Sequence, residues 1–373
     1  MVKKPEVKSA VAGMQARWPM CGAVCGLVSL VVATLQGCAG PTDASWARHE
    51  YSQIVMGVLA RVTVYSKDEA AAREGVKAAF AEMNRCDAML SDYRRDSQLS
   101  RVNESANAPH LLELFSETGV SPDFEAVLLK AQHFAALSDG AFDITCGSVV
   151  NLWRSARRSG QLPTAAEIEA ARRATGWHRM SFLQTLSSDR DILRLDRGMR
   201  LDAGGIGKGV AADRAREVLA AKGFDRCLIV LAGDMAVGEP PPGESGWRIG
   251  IWTGDEVSSE SSTSVPTIEV SRCGVSTSGD AEQFVEIGGV RYSHIVDPRT
   301  GWALTDPISA TVVASDATTS DALGTAVCVM GEGDGVRMIE DYAGASVRVV
   351  VRSSTNSPGG ARVITTRGFP AVR

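Results

Sequence analysis

A glycine-rich turn between a predicted strand and a predicted helix constrains this chain more than any other feature. Residues 200–209 have the sequence Arg-Leu-Asp-Ala-Gly-Gly-Ile-Gly-Lys-Gly, with Asp202 at the strand end and Lys208 at the start of the helix. Glycines let the backbone turn and approach a ligand, and a helix N-terminus with a cation attracts anions. The pattern is neither a Walker A loop nor a G-x-G-x-x-G fingerprint. By itself, the pattern is compatible with either a phosphate-binding site or a purely structural turn.

Two further segments place polar residues beside turns. His294 lies on an alternating strand just before Asp-Pro-Arg-Thr-Gly at 297–301, where it either faces a cleft or only supports a turn. Asp321 and Thr325 are four residues apart in a predicted helix, so both side chains share one face. Oxygen ligands at that spacing suit Mg²⁺. The alternative is that this segment only caps its helix, with Thr319 or Ser320 as the N-cap.

The rest of the pattern predicts an α+β fold. Helical periodicity covers residues 68–90, 124–138, 165–175, 209–222 and 320–330. Short strands are predicted at 57–65, 191–195, 227–231, 247–252, 267–271, 283–287, 290–295, 308–313, 345–351 and 362–366. Because Gly288-Gly289 joins two of these strands, a tight antiparallel hairpin is expected there. Helices in the first half and strand pairs in the second predict mixed layers around one core.

The first 37 residues predict an export signal that precedes the folded domain. Residues 1–17 carry four basic residues and one acidic residue, and an apolar run at 20–35 follows. That run is shorter than the ~20 residues of a membrane span. Leu-Gln-Gly-Cys at 35–38 resembles a bacterial lipobox, which implies a lipid on Cys38. We therefore predict a signal peptide at 1–37, a lipidated tether at 38–50 and a domain at 51–373, anchored on the periplasmic side of the inner or outer membrane.

Composition narrows the function classes. The formal net charge is −5, and the chain has no basic stripe, which argues against a nucleic-acid partner. Five cysteines follow Cys38 without a C-x-x-C pair, so neither a disulfide framework nor a zinc site is indicated. These are Cys86, Cys146, Cys227, Cys273 and Cys328.

The ordered set of motifs resembles the ApbE family, the FAD:protein FMN transferases, from about residue 53 to 362. The resemblance rests on segments distributed along that whole stretch. They are residues 56–57, 90–103, 139–145, 151–153, 201–213, 232–234, 246–251, 277–280, 292–301 and 321–325. It implies an ApbE-like, T-fold-like fold of mixed antiparallel sheets with packed helices.

The resemblance also implies a site. In the family, FAD is bound at the positions that match Met56, Tyr93, Ala141, Phe142, Asp143, Asp202, Lys208 and His294. Mg²⁺ is bound by the backbone carbonyl that matches Gly205, together with Asp321 and Thr325. Chemically, His294 suits the role of the base that accepts a hydroxyl proton, and Asp321 with Mg²⁺ and Lys208 would neutralise a diphosphate. Gly324, Ala232 and Ser148 depart from the family pattern, and Gly324 makes a second metal ion less expected.

The implied reaction transfers FMN from FAD to a Thr or Ser hydroxyl of a target flavoprotein and releases AMP. The implied targets are flavin-bearing subunits of the Na⁺-translocating NADH:quinone reductase or of Rnf-type complexes, modified outside the cytoplasmic membrane. Two alternatives remain open, of which the first shares every motif and the second would keep the FAD contacts but lose the metal and the base. One is a Mg²⁺-dependent FAD diphosphatase that produces FMN and AMP, and the other is a non-catalytic FAD-binding lipoprotein.

Overall fold

An eight-stranded antiparallel sheet forms the centre of the computed structural model. The structure describes residues 45–107, 115–183, 192–251, 265–279, 283–352 and 361–373. All of these residues belong to one compact unit, Ala44–Arg373. The predicted signal peptide, Cys38, the first part of the tether and Asp280 lie outside the described residues.

The strands and helices alternate irregularly along the chain. The strands are β1 (Ala47–Val55), β2 (Val58–Ser66), β3 (Phe115–Gly119), β4 (Ser181–Leu183), β5 (Ile192–Asp196), β6 (Cys227–Leu231), β7 (Asp234–Val237), β8 (Trp247–Gly250), β9 (Thr267–Val270), β10 (Cys273–Gly279), β11 (Phe284–Ile287), β12 (Val290–Ser293), β13 (Ile308–Ala314), β14 (Ser346–Val351) and β15 (Arg362–Thr365). The helices are α1 (Glu69–Leu90), α2 (Gln98–Ala106), α3 (Pro122–Leu137), α4 (Gly147–Ser159), α5 (Ala165–Arg173), α6 (Gly207–Ala220) and α7 (Ala317–Asp341).

The sheets confirm the predicted α+β class. The large sheet has the order β1-β2-β6-β7-β10-β13-β14-β15, and each neighbouring pair is antiparallel. A three-stranded sheet has the order β3-β5-β4, and β8-β9 and β11-β12 form separate hairpins. The hairpin predicted at Gly288-Gly289 is therefore present, with Ile287 paired to Val290.

Two apolar layers cover the two faces of the large sheet. Helix α1 packs on β1 and β2, α6 on β6 and β7, and α7 on β10, β13 and β14. Side chains alternate across the strands, so Ile229 of β6 lies in the main core whereas Leu228 packs toward the β8–β9 hairpin. That hairpin contributes Trp247 and Ile249 to a second buried cluster. The sheet is thus buried on both faces near its centre, which fixes the strand register.

Two glycines hold the first turn of α7 against α6 and β10. A Cβ on Gly209 would lie 2.3 Å from the carbonyl oxygen of Ala317, and a Cβ on Gly274 would lie 2.1 Å from the carbonyl carbon of Asp316. Only glycine permits backbones to approach so closely. The same turn is capped from α6, because Asp213 accepts hydrogen bonds from the backbone N–H groups of Ala317 and Thr318 at 2.9 and 2.8 Å.

Most predicted elements are confirmed, but several boundaries were wrong. Helix α6 begins at Gly207 instead of Gly209. Helix α7 begins at Ala317 because Asp316, and neither Thr319 nor Ser320, is its N-cap. It also continues beyond residue 330, after a bend at Gly331 where φ is +78°. In the part of the chain that is described, no helix is long and apolar enough to cross a membrane.

Two predictions about extended segments need correction. The predicted tether at 38–50 overlaps β1, which pairs with β2 from Ala47 onward. Its side chains are mostly polar or exposed, as expected for an edge strand, and this hid the strand from hydrophobic periodicity. The segment before Asp202 is not a strand either, since Arg200 forms only an isolated bridge with Cys146. Strands β7 and β10 were not predicted.

Candidate functional site

Lys208 lies between two buried carboxylates. Its Nζ is 2.7 Å from Oδ2 of Asp234 and 4.0 Å from Oδ2 of Asp321. Asp234 is the first residue of β7 and Asp321 lies in α7, and they are only 3% and 2% exposed. Lys208 itself, in the first turn of α6, keeps 28% of its side chain exposed. Two carboxylates and one ammonium leave an excess of one negative charge in this cluster.

Burial and this charge imbalance together shift the pKa values of Asp321 and Lys208. Burial raises the pKa of Asp321 to about 7, and repulsion from Asp234 adds to the effect of burial. Burial would lower the pKa of Lys208, but attraction by Asp234 and Asp321 outweighs it and raises that pKa above its ordinary value. The ammonium therefore stays charged at neutral pH. The carboxylates lack a full counter-charge, which is the condition a divalent cation would relieve.

The three predicted metal-binding residues come together at the glycine turn. A Cβ on Gly205 would lie 2.9 Å from Oγ1 of Thr325 and 3.3 Å from the ring of Phe142. Thr325 is partly exposed and lies one helical turn after Asp321. Asp321 Oδ2 accepts a hydrogen bond from the Gly209 N–H at 3.0 Å.

These donors fit Mg²⁺. Among the described residues, Oδ1 of Asp321 accepts no hydrogen bond, so one carboxylate oxygen remains available, one helical turn before Thr325. The same residues contain no group of three or more His, Cys, Asp or Glu side chains that could bind a metal. A single carboxylate with neutral oxygens and an excess negative charge favours a hard cation that keeps water and phosphate ligands.

A second cluster surrounds Arg154 of α4. Its guanidinium contacts the carboxylates of Asp92 and Asp202, the latter at 3.0 Å. It also lies over the ring of Tyr93, 4.8 Å from the ring centroid. Asp202 is buried, whereas Tyr93 is 78% exposed. The predicted FAD contacts Tyr93 and Asp202 are thus linked through one residue that sequence analysis did not identify.

Asp202 also shapes the glycine turn. Its Oδ1 accepts a hydrogen bond from the Gly204 N–H at 2.8 Å, which is a local side chain–backbone turn. Burial and the nearby Asp92 carboxylate raise the pKa of Asp202 to about 6, although Arg154 and the Gly204 bond oppose the shift. Asp202 therefore joins the Arg154 cluster to the turn that carries Gly205.

Residues 141–143 lie in the loop between α3 and α4. Phe142 is 4% exposed and packs edge-on against Phe134, while its ring borders Gly205. Asp143 accepts bonds from the N–H and hydroxyl of Thr145 on one oxygen and from the Trp177 N–H on the other. Its carboxylate thus stabilises the loop. FAD contacts from Ala141, Phe142 and Asp143 stay predictions.

Met56 and His294 lie on two separate hairpins. Met56 occupies the left-handed region, with φ +51°, in the β1–β2 turn, and its Cε would be 3.4 Å from a Cβ on Gly207. His294 follows β12 and is partly exposed, with Nδ1 3.1 Å from the carbonyl oxygen of Gln283. Met56 therefore borders the glycine turn. The structure anchors His294 on a different element, and its action on a substrate stays a prediction.

Three functional candidates were missed as individual residues. Asp234 is the last residue of the matched segment 232–234, and a buried strand followed by Ala-Gly-Asp was the available signal. Arg154 directly follows the matched segment 151–153. Asp213, the last residue of the matched segment 201–213, caps α7. The five cysteines after Cys38 are free, and Cys86, Cys227 and Cys328 are buried.

Comparisons with known proteins identify the family of this chain. The ApbE family model matches residues 56–349. A protein named FAD:protein FMN transferase from Salmonella typhimurium is 29% identical over 83% of this chain and 87% of its own length. One of the same name from Vibrio cholerae is 32% identical over 67% of this chain and 72% of its own length.

Solved structures agree in fold. The flavinyl transferase ApbE of Pseudomonas stutzeri in its apo form has a TM-score of 0.71 and 28% identity, covering 87% of this chain and 96% of that chain. The ApbE protein of Thermotoga maritima has a TM-score of 0.72 and 29% identity, covering 87% and 98%. Because the family model spans most of the sequence and the fold agrees along it, the chain belongs to the ApbE family.

Proposed function

We propose that this protein transfers FMN from FAD to a Thr or Ser hydroxyl of a target flavoprotein, depends on Mg²⁺ and releases AMP. The observation that carries the proposal is the buried cluster of Lys208, Asp234 and Asp321 beside the glycine turn. A partly exposed ammonium next to under-neutralised carboxylates suits a diphosphate bound together with a divalent cation. Relatives named FAD:protein FMN transferase support the choice of FAD.

The proposed step is a single phosphoryl substitution. The hydroxyl oxygen of the acceptor forms a bond to the phosphorus of the FMN half. The bond from that phosphorus to the bridging oxygen breaks, and AMP leaves with the oxygen. The hydroxyl proton passes to a base, so the products are an FMN phosphoester on the acceptor and free AMP.

The residues of this chain have separable roles in that step. Lys208 would donate to a phosphate oxygen, because an ammonium has three donors and Asp234 occupies one of them at 2.7 Å. Asp321, Thr325 and the carbonyl of Gly205 would hold Mg²⁺, which when bound supplies Lewis-acid neutralisation of the diphosphate.

His294 is the proposed base. The contact between its Nδ1 and the Gln283 carbonyl assigns the ring proton to Nδ1. In that neutral tautomer Nε2 carries the lone pair and would accept the hydroxyl proton. The backbone N–H of His294 donates to the same carbonyl at 3.0 Å, which restricts the position of the ring.

The proposal also covers the location of the protein and the identity of its acceptor. We infer that Cys38 carries a lipid that anchors the protein on the periplasmic side of the cell envelope. The proposed acceptors are flavoprotein subunits of the Na⁺-translocating NADH:quinone reductase or of Rnf-type complexes. The motif at 35–38 supports the anchor, and the name of the relatives, FAD:protein FMN transferase, supports a protein acceptor.

The test is a reconstituted transfer reaction. The chain is incubated with FAD, Mg²⁺ and an acceptor domain, and the acceptor mass and released AMP are measured. We expect FMN on the acceptor and one AMP per adduct. The matched control is an acceptor in which the target Thr or Ser is replaced by Ala.

The products also separate the alternatives. Free FMN and AMP without an adduct on any acceptor would favour the Mg²⁺-dependent FAD diphosphatase, in which water replaces the hydroxyl. FAD that binds and remains intact would indicate the non-catalytic FAD-binding lipoprotein. Either outcome would contradict the transferase proposal.

A further inference from the structure

Arg154 occupies an unusual position for an arginine. Its side chain is only 17% exposed, and the two carboxylates that it contacts, those of Asp92 and Asp202, are 16% and 7% exposed. Buried ion pairs cost desolvation energy, so a buried arginine between two acids is weak evidence for a role in stability alone. Its partners therefore indicate its role better than its burial does.

The first partner of interest is Tyr93. The ring is 78% exposed, so core packing does not fix its orientation. The guanidinium carbon of Arg154 lies 4.8 Å from the ring centroid, within the range of a cation–π contact. Asp92, the neighbour of Tyr93 in sequence, is bound by the same guanidinium. Arg154 thus restrains both the ring and the backbone segment that carries it.

The second partner is Asp202. The bond from Arg154 Nη2 to Asp202 Oδ2 is 3.0 Å long, and Asp202 Oδ1 accepts the Gly204 N–H at 2.8 Å. Arg154 therefore fixes the carboxylate that in turn fixes the glycine turn. Because a guanidinium is planar and offers a rigid fork of donors, it can contact two acids and a ring at once. A lysine ammonium cannot reproduce that geometry.

We infer that Arg154 is a positioning residue for FAD binding, which holds the Tyr93 ring and the Asp202 carboxylate in one fixed arrangement. The inference rests on the proposed function, since it takes Tyr93 and Asp202 as FAD contacts. Arg154 acts through these two residues and not on the reacting phosphate. Its loss is therefore expected to weaken FAD binding while the Lys208 cluster keeps its own contacts.

The experiment measures FAD binding without an acceptor, by the change in flavin fluorescence. The variants are Arg154→Lys, which keeps the charge, and Arg154→Met, which keeps most of the length. We expect the dissociation constant for FAD to rise roughly tenfold in Arg154→Lys and further in Arg154→Met. The matched control is Arg158→Met on the same helix, whose contact with Ser155 is exposed and whose loss should leave binding unchanged.

A folding defect is separated from a positioning defect by two further measurements. Arg154→Met leaves two acids without their cation, so the double variant Arg154→Met/Asp92→Asn restores the charge balance and should regain melting temperature but not FAD affinity. In a cycle with Tyr93→Ala, the loss of affinity in the double variant with Arg154→Met should be smaller than the product of the single losses.

The outcomes distinguish this inference from the proposed function. Wild-type affinity in both Arg154 variants, or multiplicative effects in the Tyr93 cycle, would overturn the positioning role while FAD binding by the wild-type chain remains. A wild-type chain that does not bind FAD would overturn the proposed function and this assignment together.

Discussion

At the residue scale, Lys208 carries one positive charge between the carboxylates of Asp234 and Asp321, and this balance decides what the site can bind. Asp321 would supply a carboxylate oxygen to the proposed metal, whereas His294 is anchored on another hairpin. Substitutions at the two positions should therefore fail in different ways.

We expect Asp321→Asn to abolish transfer and the response to Mg²⁺. Its melting temperature should not fall, since the substitution removes a buried charge that repels Asp234. His294→Ala should reduce the transfer rate by about a hundredfold or more, with a smaller loss of FAD affinity. Rates are measured from released AMP at several Mg²⁺ concentrations, and full activity in either variant would contradict the assigned role.

The pKa of Asp202 predicts a pH-dependent stability. The pKa is raised from 3.8 to about 6 in the folded chain, so between these values the folded state keeps a proton that the unfolded state has lost. The contribution of Asp202 to stability is therefore fully present below pH 3.8 and is lost as the pH rises through about 6.

Asp202→Asn removes this titration. Thermal unfolding of both chains from pH 4 to pH 8 should show the variant gaining stability relative to wild type by roughly 1–3 kcal/mol up to about pH 6, with a constant difference above it. If the amide beside Arg154 destabilises the variant equally at every pH, the whole curve of its stability against pH shifts, and the dependence on pH stays the same. A parallel pair of curves would contradict the raised pKa.

Ala232 has a strained backbone conformation. It occupies the left-handed region, with φ +53°, in the turn before Asp234, and it is exposed, so its methyl group gains little from packing. Because a left-handed non-glycine residue costs about 1–2 kcal/mol and glycine loses some entropy on folding, Ala232→Gly should stabilise by roughly 0.5–1 kcal/mol.

Denaturant unfolding measures this effect. The matched control is Ala81→Gly in the exposed middle of α1, where the same chemical change should destabilise by about 1 kcal/mol. Destabilisation at both positions would show that the φ value at Ala232 carries no strain.

At the scale of elements, the site depends on how closely α6 approaches α7. Lys208 and Asp321 lie on these two helices, and the contact passes through Gly209 against Ala317. The periodicity of the sequence predicted both helices, because each has an apolar face. It could not predict that they meet at a glycine, since this contact joins segments far apart in the chain.

Gly209→Ala tests that contact. A Cβ there would lie 2.3 Å from a backbone oxygen, so the helices must separate, and we expect a loss of roughly 2 kcal/mol or more together with weaker Mg²⁺ dependence. Gly333→Ala in the exposed part of α7 is the control, because no atom lies within 4 Å of the added Cβ. It should be neutral or stabilising by up to about 1 kcal/mol.

At the scale of the whole molecule, the proposed lipid anchor should affect where the protein is located and not the reaction that it catalyses. Cys38→Ser should leave the protein without a lipid and move it from the membrane fraction to the soluble fraction, with transfer to a soluble acceptor unchanged. Fractionation and labelling with a radioactive fatty acid measure this. A variant that remains in the membrane fraction would contradict anchoring through Cys38.

The strand order of the large sheet also could not be predicted from local sequence patterns. Strand β7 was missed because it has only four residues, Asp-Met-Ala-Val, and strand β10 was missed because its glycine, serine and threonine residues show no clear alternation. The pairing of β10 with β7 and β13 gives them their place in the sheet. Edge strand β1 was missed because its residues are mostly polar, as those of a solvated tether would be.

Local sequence was enough to predict the α+β class, most helices, and the motifs that identify the ApbE family, because local periodicity and turn chemistry are properties of neighbouring residues. It also predicted Asp321, Thr325 and Gly205 as a group. The pairing of Asp234 with Lys208, and the contacts by which Arg154 joins Tyr93 to Asp202, became visible in the folded chain alone. These contacts bring together residues from different turns and helices, and the charge balance of the site exists only once they are buried together.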